Sequence, residues 1–296
     1  MKKISFHDQI AKNKRNSFLL GGLVFSFLII LIYVIGQIFI PELSIVFLIF
    51  SMVIVFVYTY SSYNYGDKVV LAATGAKLVK EGDRRYVHLI NAVEGLSIAA
   101  GIPKPKIYVI ESDDINAFAT GKDPKNASVA VTTGLLNNLK RDEIEGVIGH
   151  ELSHIKNYDI RFATLVAVLV GLVAIISYMF LRTFRFGGKK GRDKGGLLIL
   201  VGFILAIFAP IVVRLVQFAI SRRREYLADA SSVQLTRYPE GLASALEKIM
   251  KVNTGKMKVS EAVSHLFFTD PNKSALDSLY ATHPPIKERI KTLRSM

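Results

Sequence analysis

The chain is 296 residues long and 51% hydrophobic, with a mean hydropathy of +0.35, which is more apolar than an ordinary soluble domain. Lys and Arg total 38 against 24 Asp and Glu, a formal net charge of +14, and there is no cysteine. Lack of cysteine excludes a disulfide framework and thiolate chemistry, so a metal would have to sit on imidazoles and carboxylates. With no zinc-finger or RNP-type motif, the basic balance argues for a membrane surface and against nucleic acid as partner.

Residues 1–17 form a basic N-terminal segment carrying Lys2, Lys3, Lys12, Lys14 and Arg15. Two apolar runs follow, 18–40 and 43–60, joined at Pro41-Glu42. A spanning helix needs about 20 apolar residues. A cleaved signal peptide would end at a small-residue site after a shorter core, whereas here a second run follows at once, so 18–63 reads as an uncleaved transmembrane hairpin.

Residues 64–160 read as the first part of a folded domain. Apolar positions such as Val87, Ile90, Val93 and Leu96 predict helix over 67–100, broken by Gly101-Ile-Pro-Lys-Pro. Short strands are predicted at 106–111, 116–120 and 128–132. A helix begins near Arg141, with Asp142, Glu143 and Glu145 favourably placed at its N-terminal end.

Residues 161–220 form a second apolar hairpin, its later half interrupted by Pro210, Arg214 and Gln217. Residues 221–296 complete the domain, with helix predicted over 222–252. The predicted fold class is a mainly α membrane protein: an N-terminal transmembrane hairpin, an α+β domain with a small β-sheet, and an apolar hairpin inserted into that domain. Basic residues flank the first hairpin on both outer sides, which places 64–160 in the cytoplasm. The basic stretch 182–194 runs against that orientation. Whether the second hairpin crosses twice or not at all, the segments on either side of it share one face of the membrane.

The chemistry centres on His150-Glu151-Leu152-Ser153-His154. Histidines at i and i+4 share one helical face and reach a single zinc ion, while Glu151 stands beside the first as a base for a water that zinc acidifies. An isolated match of this kind also arises by chance on a solvated helix. A partner strengthens it: Glu225 offers a third ligand, and Asp229, one turn on, orients a ligating imidazole, as in glutamate-ligand zinc peptidases. Among the other histidines, His7 and His88 suit surface roles, and His265 and His283 are competing ligands that lack a carboxylate at helical spacing.

Together with the N-terminal hairpin, the segments Asn116-Ala-Phe-Ala-Thr-Gly121, Val147-Ile-Gly-His-Glu-Leu-Ser-His154, Ser221-Arg-Arg-Arg-Glu-Tyr-Leu-Ala-Asp229 and Thr282-His-Pro-Pro285 resemble the HtpX-type membrane zinc endopeptidases, relatives of the CAAX prenyl-protein endopeptidases. The resemblance implies a gluzincin-like catalytic domain in two parts, 64–160 and 221–296, with one Zn²⁺ per chain on His150, His154 and Glu225. It further implies hydrolysis of misfolded or damaged membrane proteins under stress, and a multi-pass cell-membrane enzyme whose active site faces the cytoplasm. By the same resemblance, Asn116, Ala117, Phe118 and Ala119 edge the cleft and pair with an extended substrate, His283 stabilises the oxyanion, and Arg289 supports the site. Asp159 receives no role. An intramembrane metalloprotease is disfavoured by the charges around the motif, from Arg141 to Asp159. A membrane scaffold with a structural zinc is the alternative from another class, and it requires a fourth protein ligand.

Overall fold

The structure, a computed structural model, describes residues 41–171, 222–253, 257, 259–269, 271 and 284–296, with isolated helical positions between residues 11 and 33. Pro41–Leu43 form a 3₁₀ turn, from which helix α1 runs Ser44–Ala73. The helix ends where Thr74 N–H bonds back to the Val70 carbonyl and Gly75 takes a left-handed φ of 66°. A two-residue strand, β1 (Lys77–Leu78), and a turn through Gly82 at φ 81° lead to α2 (Val87–Ala100), closed by Gly101 at φ 69°. The helix expected over 67–100 is therefore two helices with a strand between them. Glycines free to adopt positive φ break it where apolar spacing alone shows continuity.

The three expected strands are present as β2 (Lys106–Ile110), β3 (Ala117–Gly121) and β4 (Ala127–Thr132). They join β1 in a mixed sheet of order β1-β2-β4-β3, with β2 and β4 parallel and β3 antiparallel to β4. β3 is thus an edge strand. Thr132 caps α3 (Thr133–Asn138) through its hydroxyl, which accepts from Leu135 N–H.

Helix α4 (Arg141–Lys156) carries the histidine motif. Glu143 in its first turn accepts from the Lys140 N–H at 2.6 Å and pairs with Lys248 at 2.6 Å. Tyr158, at φ 59°, turns the chain into α5, the helical residues 159–171. Beyond lie α6 (Arg222–Thr236), α7 (Pro239–Val252), the short α8 (Glu261–Ser264) and α9 (Ile286–Leu293). The helix expected over 222–252 divides at Arg237, φ 57°, and Pro239.

Helix α4 is the axis of the core. Val147, Ile148, Leu152 and Ile155 are wholly buried between the sheet and helices α2, α6 and α7. Two glycines let the helices close in on it. A Cβ on Gly146 would lie 2.7 Å from the Leu242 nitrogen of α7, and one on Gly149 would lie 2.8 Å from Ser232 Oγ of α6. Ser232 Oγ donates to the Gly146 carbonyl at 2.6 Å, fixing α6 against α4.

The transmembrane hairpins are corrected by the structure: among the described residues, no helix is long and apolar enough to cross a membrane. The apolar stretch of α1 covers 45–57, about 20 Å at 1.5 Å per residue, against about 30 Å of hydrocarbon in a bilayer. It then passes into Tyr-Thr-Tyr-Ser-Ser-Tyr-Asn-Tyr-Gly-Asp, and the helix continues to the sheet, where Val70 and Leu71 join Ile110, Phe118 and Ala130 in a buried cluster. Residue 64 therefore falls inside a helix. Of the second hairpin, 161–171 is helical and packs on α1 through Phe162, Val166 and Leu169 against Val55. Residues 172–220 lie outside the described residues.

Candidate metal centre

His150 and His154 project from one face of α4, and α6 brings Glu225 opposite them. His150 Nε2 and His154 Nε2 stand 3.1 Å apart, with Glu225 Oε2 3.6 Å from the first and Glu225 Oε1 3.5 Å from the second. Tetrahedral zinc with bonds of about 2.0–2.1 Å sets its ligand atoms about 3.3 Å from one another. Two imidazole nitrogens 3.1 Å apart, with a carboxylate oxygen within reach of each, are a donor set whose chemistry fits zinc. This is also the group among the described residues whose ligand atoms gather within 4.8 Å.

Each imidazole is held from behind. Asp229 Oδ1 lies 2.9 Å from His150 Nδ1, and Asp159 Oδ2 lies 3.0 Å from His154 Nδ1. A carboxylate on Nδ1 fixes the tautomer with its proton there and leaves the Nε2 lone pair directed into the triangle. Arg289 of α9, with no exposed surface, donates twice to Asp229, from Nε at 2.9 Å and Nη2 at 2.7 Å. Its Nη1 is buried without a hydrogen-bond partner and stands 3.8 Å from Glu225 Oε2. Arg224 Nε lies 3.7 Å from Asp159 Oδ1.

The electrostatics follow from this crowding. Burial opposes protonation of His150, but the Asp229 and Glu225 carboxylates outweigh it and raise the group to about 9. Burial likewise works to raise Asp229, yet the Arg289 charge and the His150 hydrogen bond bring it down to about 2, so it is ionised wherever the protein works. Glu151, 2% exposed, is raised by burial, with neighbouring histidines and the Ala119 N–H acting in the opposite sense.

Of the remaining expected residues, Asn116, Ala117, Phe118 and Ala119 lie on or at the head of β3, all buried. Asn116 spends its amide on the backbone of Thr269, and Phe118 faces inward against Phe267. Only Ala119 looks into the site. His283 lies outside the described residues, as does His7; His88 is exposed on α2. His265 lines the same cavity as the triangle, but its Nε2 contacts the Ala163 carbonyl at 3.2 Å. The sequence reading named Asp159 without a role, and gave Arg224 and the two packing glycines no place at the site. A carboxylate just past the end of the motif helix was the available signal for Asp159.

Residues 83–296 match Peptidase family M48. The chain belongs to peptidase family M48. Relatives across the whole length agree. The Protease HtpX homolog of Dictyoglomus turgidum is 46% identical over 299 residues, covering 100% of this chain and 96% of the relative. That of Dictyoglomus thermophilum is 43% identical over 296 residues, at 100% and 96% coverage. That of Streptococcus pneumoniae is 40% identical over 299 residues, at 98% and 99% coverage. Among solved structures, Ste24p of S. mikatae aligns with a TM-score of 0.49 at 22% identity, covering 95% of this chain and 64% of that one. As an M48 member the chain is a metalloprotease, and its substrates are polypeptides.

Proposed function

We propose that this M48 protease is a zinc endopeptidase with its metal on His150, His154 and Glu225. The observation that carries the reading is the gathering of His150, His154 and Glu225, with one ligand atom from each within 4.8 Å of the others, beside the buried carboxyl of Glu151. Zinc, when bound, supplies a Lewis acid that polarises the scissile carbonyl and makes a water more acidic. Glu151 takes the proton from the attacking water and returns it to the leaving amine nitrogen. Burial raises this carboxyl, which favours its taking up a proton. Asp229 and Asp159 hold the imidazoles in the ligating tautomer, and Arg289 holds Asp229. We assign the oxyanion contact to His283, which precedes the α9 that carries Arg289. An extended substrate pairs with β3, whose edge position suits backbone recognition tolerant of sequence.

The substrates on this reading are misfolded or damaged membrane proteins, cleared under stress at the cytoplasmic face of the cell membrane. Ile45, Val46, Ile49, Phe50, Val53 and Phe56 of α1 are exposed apolar side chains of the kind a lipid bilayer covers. The domain division follows the same scheme, with 64–160 and 221–296 as the two catalytic parts. A scaffold with a structural zinc would need a fourth protein ligand, and none joins the triangle among the described residues.

The test is cleavage of an unfolded polypeptide by the zinc-loaded chain in mild detergent, compared with Glu151→Gln. The variant is expected to keep its zinc and lose activity by about 10²–10⁴-fold. Retained activity would remove Glu151 from its role. Zinc that does not bind at all would remove the central claim.

A further inference from the structure

The outer edge of β3, the strand on which a substrate would pair, is already taken by the chain itself. In an antiparallel ladder alternate residues face away from the partner strand. Because Thr132 N–H bonds to the Asn116 carbonyl, the outward positions are Ala117, Ala119 and Gly121. The Ala117 carbonyl accepts from Phe268 N–H at 2.8 Å, and Gly121 N–H donates to Thr164 Oγ1 at 3.2 Å. Ala119 N–H is directed at Glu151. Between them these contacts border a cavity of about 40 Å³ over the metal triangle, enough for water.

Segment 266–269 is fitted to this place. The Asn116 amide donates to the Thr269 carbonyl at 2.9 Å and its oxygen accepts from Thr269 N–H at 3.1 Å, while Asn253 Nδ2 donates to Thr269 Oγ1 at 3.3 Å. Phe267 meets Phe118 edge-on at 4.9 Å. Phe268 meets the His150 ring edge-on at 4.8 Å and lies under the Arg289 guanidinium at 4.7 Å. A peptide that pairs with the Ala117 carbonyl of β3 must displace the Phe268 N–H. Helix α4 is locked among α2, α6 and α7, and β3 is held in register by β4. Among the described residues, segment 266–269 is held to β3 by one backbone hydrogen bond, Phe268 N–H to the Ala117 carbonyl, and by side chains.

We propose that segment 266–269 is a built-in occupant of the substrate strand, pairing with β3 in place of a substrate until an extended polypeptide displaces it. The inference rests on the peptidase reading and adds the regulation of that same site. A substrate that pays back the lost pairing must be extended over several residues, so folded chains and very short peptides compete poorly. Apparent affinity falls in proportion to the fraction of molecules with the strand open.

The experiment is hydrogen exchange on the full-length Glu151→Gln chain, zinc-loaded in mild detergent, with and without excess reduced, carboxymethylated lysozyme. Displacement predicts that peptides covering 259–269 exchange about tenfold faster when the polypeptide is bound, while 117–121 stays protected. Unchanged or increased protection of 259–269 would overturn the proposal, since the segment would then be a fixed wall of the groove. In a second arm Phe268→Ala, otherwise wild type, is expected to raise kcat/KM by about tenfold through a lower KM, with zinc content unchanged. A higher KM with zinc retained would mean that Phe268 contacts substrate, and would also overturn it. Should that variant not fold, the exchange arm decides alone. Failure of the wild-type, zinc-loaded chain to cleave the polypeptide is a separate signature, and it overturns the peptidase reading together with the occupant.

Discussion

Both histidines of the triangle rest their outer ring nitrogen on a carboxylate, yet the two carboxylates are not equivalent. Asp229 is 1% exposed and gripped by the two donors of Arg289, whereas Asp159 is 7% exposed and has Arg224 at 3.7 Å. Removing either should weaken zinc binding by about 10–100-fold, because the imidazole loses its fixed tautomer. Asp229→Ala carries an added penalty. It strands the Arg289 charge in a fully buried position, which costs about 3–5 kcal/mol of folding stability. Asp159→Ala removes a longer contact, 3.7 Å from an Arg224 side chain that keeps 11% of its surface exposed, so it should lower zinc affinity with a smaller drop in the unfolding midpoint than Asp229→Ala. Chelator competition and thermal melts on both variants separate the two effects. Unaltered zinc affinity in Asp159→Ala would deny that residue its positioning role. Arg289→Lys should fail to restore the wild-type state, since one ammonium does not reproduce a two-donor fork.

At the scale of elements, the site exists because α6 and α7 approach α4 more closely than side chains would allow. The two glycines of Gly-Val-Ile-Gly, just ahead of the motif, make that approach. Alanine at Gly146 would press on the backbone of Leu242, which has nowhere to go, while alanine at Gly149 would press first on the rotatable Ser232 hydroxyl. Gly146→Ala should therefore be the more damaging, by about 1–3 kcal/mol. Equal melting midpoints for the two variants would count against this account of the packing. The motif helix and the strands β2, β3 and β4 were legible in the sequence because their signals are local: period, turn residues and acidic first-turn side chains. The divisions at Gly75, Gly82 and Arg237 were not, because they depend on left-handed backbone that apolar spacing does not register. The roles of Asp159 and of the occupant segment escaped for another reason. Each is exercised through a partner brought near only by the tertiary fold, as Phe268 is brought to Ala117. The transmembrane reading failed where 43–60 was taken as one apolar run, since α1 turns polar after Val57 and no helix among the described residues is long and apolar enough to cross a membrane.

Over the whole molecule, the triangle ties together segments far apart in the chain. His150 and its Asp229 partner are 79 residues apart, and the third ligand sits on the same helix as Asp229. Zinc that binds all three ligands should therefore stabilise α4 and α6 as one unit, not α4 alone. With free zinc at about a thousandfold its dissociation constant, the gain is about 4 kcal/mol. For a domain of this size that corresponds to a rise of about 8–16 °C in the unfolding midpoint. Glu151→Gln keeps every ligand and should show the full rise. Glu225→Ala breaks the link between the two helices, so zinc should raise its midpoint by far less, although both histidines persist. Scanning calorimetry of the three chains, with and without zinc, makes the comparison. An equal rise in Glu225→Ala would mean that the metal is held within α4 alone, and the long-range closure proposed for Glu225 would be wrong.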